Sequence, residues 1–222
     1  MSSAIIQLLV LAGIAVFLIL RLRSVLGTRD GFEKPPASVS DNDVSRRRGR
    51  PEFDVIEGGP DRDITDHVED GSDAAKALAA MKMAEPGFSV SEFLGGARGA
   101  YEMILMAFEN GDLEDVRSFL SAEVAEAFDS VIAEREREGL TVEANFIGVR
   151  EVSLQNASFD RATNEGEVTV RFIGEMTSVV RNADGEIVEG NASEIKRHRD
   201  GWTFSRIMGS NDPNWVLVAT GE

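Results

Sequence analysis

The first apolar segment of the chain has no polar face. Residues 4–20 contain one polar side chain, Gln7, and no charge, whereas a helix on the surface of a soluble protein carries a polar stripe. As a helix the segment would measure roughly 25 Å, near the minimum for a bilayer. We therefore predict a single transmembrane helix over residues 4–22. The predicted membrane anchor comprises Ile5, Ile6, Leu8, Leu9, Val10, Leu11, Ile14, Val16, Phe17, Leu18, Ile19 and Leu20, followed by Arg21 and Arg23.

A cleaved signal peptide fits this segment less well than an anchor does. Signal peptides carry basic residues before the apolar run and small residues at a cleavage site after it. Nothing basic precedes Ala4, and Arg21, Arg23 and Arg29 follow the run. Basic residues flank the cytoplasmic end of a span. The sequence therefore predicts a short N-terminus outside and the remaining chain inside.

Residues 23–72 show neither the helical nor the strand period. Pro35, Pro36, Pro51 and Pro60 interrupt them, and their apolar residues occur singly, which predicts a disordered polar linker. A basic cluster at residues 46–50 precedes an acidic tract at residues 52–73. These charges could contact anionic lipid and a basic partner, or they could only keep a solvated linker extended; we favour the second interpretation.

Residues 73–84 are rich in alanine and predict an amphipathic helix with Asp73 at its N-cap. Two interpretations remain open for this helix. Lys76, Leu78, Met81 and Lys82 could contact lipid or a partner, or the helix could pack on its own domain, which is the favoured interpretation.

Residues 86–222 begin with helical periods. Ser89 and Glu92 form a capping box flanked by Phe88 and Phe93, and this helix should end at Gly111. A second helix is expected after Asp112. A third, capped by Ser121 and ending at Gly139, should turn four residues inward, namely Val124, Phe128, Val131 and Ile132.

After Gly139 the period changes to two, which is typical of half-buried strands. Strands are expected around residues 142–154, with a bend at Gly148, and around residues 167–172. A turn at residues 182–185 precedes two strands, 193–199 and 202–208, joined by a hairpin at Asp200-Gly201, and a last strand covers residues 215–220. The order of elements predicts an α+β domain in which helices cover one face of a curved antiparallel sheet.

The net negative charge of the chain argues against one class of partner, nucleic acids. The chain has a formal net charge of −16, and residues 86–222 carry 12 Lys and Arg against 25 Asp and Glu. Such a domain repels phosphate backbones, so we expect no nucleic-acid partner.

The residues that carry chemistry are few. There is no cysteine, and of the two histidines His67 lies in the linker and His198 among basic residues of a strand. We therefore predict no catalytic residues, no metal and no cofactor. An apolar pocket on the sheet is conceivable, although burial in the core is the favoured alternative for its members, which are Tyr101, Phe172, Trp202, Phe204 and Trp215.

Five segments together resemble the C-terminal domain of the mitochondrial inner-membrane import translocase subunit forty-four, and more closely the bacterial TimA-like adaptor proteins. They are Phe93-Leu-Gly-Gly-Ala-Arg98, Tyr101-Glu-Met-Ile104, Gly111-Asp112, Trp202-Thr-Phe-Ser-Arg206 and Asp212-Pro-Asn-Trp-Val-Leu-Val-Ala-Thr220. The resemblance implies a cone-shaped fold like nuclear transport factor two. It also implies a non-enzymatic scaffold at the bacterial inner membrane, with the domain in the cytoplasm and a lipid contact, if any, near residues 73–93.

Two functions follow as hypotheses. The first is a membrane-tethered adaptor that binds a protein partner, in protein translocation or membrane-protein handling. The alternative is a cone domain that binds lipid or a small apolar ligand. A closed apolar cavity would favour the ligand, whereas a filled cavity with an exposed apolar patch would favour the adaptor.

Overall fold

The computed structural model describes residues 60–221. The predicted anchor at residues 4–22 and the linker up to residue 59 lie outside the described residues. Within residues 60–221, no helix is long and apolar enough to cross a membrane. The described part is an α+β domain in which helices pack on one antiparallel sheet, as predicted.

The helices precede the sheet in the chain. They are α1 (Arg62–Thr65), α2 (Asp73–Ala84), α3 (Val90–Asn110), a 3-10 helix (Arg117–Phe119) and α4 (Ala122–Arg137). The start and end of α3 are confirmed, because the Ser89 hydroxyl accepts a hydrogen bond from the Glu92 amide at 3.3 Å and Gly111 adopts a left-handed C-cap with φ 75°. Ser121 caps α4 in the same way, by accepting from the Val124 amide at 3.2 Å.

Four details of the helical half differ from the sequence-based expectations. Residues 60–72, assigned to the disordered linker, contain α1, whose Ile64 is buried in the core. Ser72, not Asp73, caps α2. In place of the helix expected after Asp112, the structure has only the 3-10 helix. Val131, expected inward, is 43% exposed, and the buried residues of α4 are Val124 and Ala125.

The sheet has five antiparallel strands. They are β1 (Thr141–Asp160), β2 (Glu165–Arg181), β3 (Ile187–Gly190), β4 (Lys196–Ile207) and β5 (Val216–Gly221). Their order is β1-β2-β4-β5, and β3 pairs with the far end of β2. The expected bend at Gly148 is confirmed as a shift of register between Phe146 and Gly148.

The hairpin expected at Asp200-Gly201 does not form. Both residues lie inside β4, where Asp200 pairs with Phe172 and Gly201 with Arg171 of β2. A tertiary contact explains the difference. The Asp200 carboxylate accepts a hydrogen bond from the buried Tyr101 hydroxyl at 2.6 Å, and this contact favours an extended backbone at a residue pair that would otherwise favour a turn.

The core lies between the helices and one face of the sheet. Residues of β2 and β4 that alternate toward the helices are buried, while the opposite face carries charges. On that outer face Glu175 is 6% exposed and pairs with Arg150 and Arg197.

Candidate functional site

An open groove of about 310 Å³ lies beside α3 and is the candidate site. We call it the apolar groove. It is lined by the segment before α3, by α3 itself, by the 3-10 helix, by the end of β4 and by the turn leading into β5. Its lining residues are Glu85, Gly87, Phe88, Ser89, Glu92, Phe93, Gly96, Ala97, Ala100, Phe119, Phe204, Arg206, Pro213, Asn214 and Trp215.

Aromatic rings form the wall of the apolar groove. Trp215 is half-buried, and its ring centroid lies 4.6 Å from that of Phe93 and 5.8 Å from that of Phe88. Phe93 in turn meets Phe204 edge-on at 6.0 Å. Tilted and edge-to-face contacts of this kind fix ring positions more firmly than burial alone does. The wall is therefore a preformed apolar surface.

Small residues of α3 form the floor. Gly96 is exposed, and a Cβ built on it would meet no atom within 4 Å outside its own helix. Gly95 and Gly99 of the same helix also face open space. The α3 backbone at Gly96 is consequently open to whatever enters the groove.

A partly buried ion pair forms one end of the groove. The Arg206 guanidinium lies 2.5 Å from the Glu85 carboxylate, donates to the Pro213 carbonyl at 3.0 Å and sits 5.2 Å from the centroid of the Trp215 ring. Burial alone would raise the pKa of Glu85, but hydrogen bonds from the Gly209 amide and from Arg206 outweigh burial and lower it. The pair therefore stays ionised at neutral pH and holds Trp215 in place.

The structure divides the predicted apolar pocket between two places. Phe204 and Trp215 line the apolar groove. Tyr101, Phe172 and Trp202 pack in the core together with Phe204, each no more than 4% exposed, and Tyr101 stacks on Phe172 at 4.5 Å. Burial in the core, the favoured alternative for these residues, therefore holds for all four.

Sequence reasoning missed most of the lining. Phe88 and Phe93 were identified as helix-flanking contacts, yet their second role against Trp215 depends on where the last turn of the chain packs. Arg206 was noted only as part of a motif. No local signal connects Arg206 to Glu85, because the two are far apart in the chain.

The residues of α2 that could have contacted lipid or a partner are mostly engaged within the domain. Leu78 and Met81 are fully buried in the core. Lys82 lies 2.7 Å from both Asp61 and Asp63. Lys76 remains exposed and pairs with Asp73 at 2.9 Å. Packing of α2 on its own domain is therefore the interpretation that the structure supports.

Comparison with known proteins gives a family match. The model of the Tim44-like domain matches residues 74–222. A similar curated protein is the mitochondrial import inner membrane translocase subunit TIM44-1 of Arabidopsis thaliana, 21% identical over 147 residues that cover 66% of this chain. The matched region spans only 30% of the plant protein. A similar solved structure is the intermembrane space region of the chloroplast protein ARC6, with a TM-score of 0.38, 11% identity, and coverage of 59% of this chain and 92% of that chain.

Proposed function

The chain belongs to the Tim44-like domain family, and we propose that it is a non-enzymatic adaptor that holds a protein partner at the cytoplasmic face of the bacterial inner membrane. Its role would lie in protein translocation or membrane-protein handling. The plant relative is a subunit of a mitochondrial inner-membrane translocase by its name, which supports this class of function.

The observation that carries the proposal is the form of the apolar groove. Sites for small ligands enclose most of the ligand surface, whereas this groove is open on one side and is lined by an exposed stretch of helix backbone at Gly96. A few apolar side chains of a partner segment fit a volume of about 310 Å³. A filled sheet interior with an open apolar groove favours the adaptor over the lipid-binding or small-ligand alternative.

Charge indicates the chemistry of the partner segment. Residues 86–222 carry 12 basic against 25 acidic side chains, and Glu92 lies on the groove lining beside Phe93. A partner segment that combines apolar side chains with Lys or Arg would be complementary in both respects. Acidic segments would be repelled.

The predicted anchor supports a tethering role. A span at residues 4–22 with a polar linker behind it would confine the domain to one membrane face and raise its local concentration there. The linker length would set how far the domain reaches from the bilayer.

A matched pair of substitutions tests the groove. Gly96→Leu places a side chain in the apolar groove, whereas Gly95→Leu places the same side chain on α3 outside the groove lining. Both exchanges improve helix propensity, so neither should unfold α3. The full chain is produced in membranes with a photoreactive residue at the exposed position Asn214.

We expect Gly96→Leu to lower the crosslinking of a partner protein about tenfold or more, as the loss of roughly 1.4 kcal/mol in binding would do. Gly95→Leu should crosslink as the unmodified chain does. Equal crosslinking by both variants would contradict the assignment of the groove as the partner site.

A further inference from the structure

A second cavity lies among the ends of α3, α4 and the strands, and it shares no residue with the apolar groove. Its volume is about 270 Å³. Five ionisable side chains line it together with apolar and small residues, and we call it the charged cavity. Its lining residues are Glu109, Arg135, Leu140, Val142, Met176, Ser178, Val180, Glu189, Gly190, Lys196 and His198.

Within the described part of the chain, the ionisable groups of the charged cavity have no ion-pair partner. Among residues 60–221, none of the five lies within 4.0 Å of an opposite charge. The His198 Nε2 atom is buried and has no hydrogen-bond partner in the same part of the chain. Because leaving a buried polar atom without a hydrogen-bond partner is unfavourable, such atoms usually bind a partner.

Positive and donor groups dominate the interior of the charged cavity. Lys196 and His198 are two residues apart on β4 and share its inner face, while Arg197 between them points outward to Glu175. Arg135 reaches the cavity from α4, held by a hydrogen bond to the Phe108 carbonyl at 3.2 Å. Glu189 is exposed on β3 and so lies at the rim.

Glu109 is the acidic group inside. Burial raises the pKa of Glu109 above its usual range, although the charges of Arg135 and His198 act in the opposite direction. Inside the cavity this one carboxyl group lies among three side chains that can donate to an anion, namely Arg135, Lys196 and His198.

We propose that the charged cavity binds a small monocarboxylate with a short apolar chain. The carboxylate would lie between the Lys196 ammonium and the His198 imidazole. The chain would pack on Leu140, Val142, Met176 and Val180. A volume of about 270 Å³ lies at the lower end of ligand sites, which limits the ligand to a short chain.

Histidine NMR tests the proposal, because the chain contains two histidines. His67 serves as the internal reference: its Nε2 is 3.1 Å from the Ser91 hydroxyl, and it does not line the cavity. The full chain, with isotope-labelled histidine, is reconstituted in lipid nanodiscs and titrated with butanoate. Butanol and butylammonium serve as neutral and cationic probes of the same length.

Butanoate should shift the His198 imidazole signals in a saturable way and leave those of His67 in place. Butanol and butylammonium should act at least tenfold more weakly. Equal shifts at both histidines, or an equal response to butylammonium, would overturn the proposal, and so would the absence of any saturable shift.

Substitutions on β4 complete the test. Lys196→Met should weaken butanoate binding at least tenfold, whereas Arg199→Met, on the outer face of the same strand, should leave binding unchanged. If Lys196→Met lowers the midpoint of thermal unfolding, Lys196→Gln replaces it with the same expected loss. Unchanged binding in the Lys196 variant would also overturn the proposal, and none of these outcomes bears on the apolar groove.

Discussion

Asp63 connects the segment before α2 to the start of α3. Its carboxylate accepts hydrogen bonds from the Val90 and Ser91 amides at 2.8 and 2.9 Å, and Lys82 lies 2.7 Å away. The amides at a helix N-terminus have no partner within the helix, and a carboxylate satisfies them while it also favours the helix dipole. Asp63 thus connects residues 60–72, which the sequence had assigned to the linker, to the helix α3 of the domain.

Asp63→Asn should lower the free energy of unfolding by about 1–3 kcal/mol at pH 7. Burial alone would raise the pKa of Asp63, but the hydrogen bonds from Lys82, Ser91 and Val90 outweigh burial and hold the pKa far below its usual range. The native state therefore favours the charged form. The stability contributed by Asp63 is present above the unfolded pKa of about 4 and is lost as the pH falls toward the native value.

Urea unfolding of the full chain, followed by the fluorescence of its two tryptophans, measures this effect. The difference between wild type and Asp63→Asn should be largest near neutral pH and shrink steadily as the pH falls below about 4. Asp70→Asn, at an exposed position, is the control. A difference that stayed constant from pH 7 to pH 2 would contradict the assigned role of the charge.

Gly174 of β2 is required by its neighbour Tyr101. A Cβ at position 174 would lie 2.8 Å from the Tyr101 hydroxyl and 3.1 Å from its ring. The ring cannot move away, because it stacks on Phe172 at 4.5 Å and contacts Trp202 at 4.8 Å. We expect Gly174→Ala to destabilise the domain by about 1–3 kcal/mol. The midpoint of thermal unfolding measures this loss. An unchanged midpoint would contradict the expectation, because it would mean that the Tyr101 ring can move to make room for the added methyl group.

At the scale of elements, α3 contains glycines that its packing does not require. Gly99 is exposed within α3, and a Cβ there would meet no atom within 4 Å outside the helix. Gly99→Ala should therefore stabilise the domain by about 0.5–1 kcal/mol through helix propensity alone. Chemical unfolding measures the change. A loss of stability would mean that the α3 surface at Gly99 packs against something in the full chain.

The boundaries of the helices could be predicted from the sequence, but the extent of β4 could not. The boundaries of α3 and α4 followed from Ser89, Gly111 and Ser121, because capping chemistry is local. The single strand β4 could not be predicted, since its Asp200-Gly201 pair favours a turn and only the Tyr101 hydroxyl, supplied by a distant helix, explains why the strand continues. At such positions tertiary contacts, and not the local sequence, determine the backbone conformation.

The candidate site was predictable only in part, for a similar reason. Trp215 and Phe204 belong to the five aromatic residues that the sequence offers for an apolar pocket, and both line the apolar groove. The groove floor at Gly96 and the Arg206–Glu85 pair depend on how the turn before β5 meets α3. Periodicity identifies a buried face but not the gaps between the elements that cover it.

In the molecule as a whole, placement at the membrane and binding of the partner would belong to different parts of the chain. A predicted membrane segment and linker would place the domain, and the apolar groove would bind the partner. The acidic character of the domain opposes contact with an anionic leaflet, so placement would rest on the predicted anchor rather than on the surface of the domain. Binding by the groove should then depend strongly on the presence of residues 1–26.

The dependence of partner binding on the anchor can be measured as the yield of partner crosslinked from position 214 in membranes, with the full chain and a deletion of residues 1–26 compared at equal concentration. Tethering commonly raises effective affinity by a factor of about 100 or more, so the deletion should lower the yield of the same partner at least about tenfold. An equal yield without residues 1–26 would contradict the account. Co-purified lipid with no crosslinked protein in either form would contradict it as well.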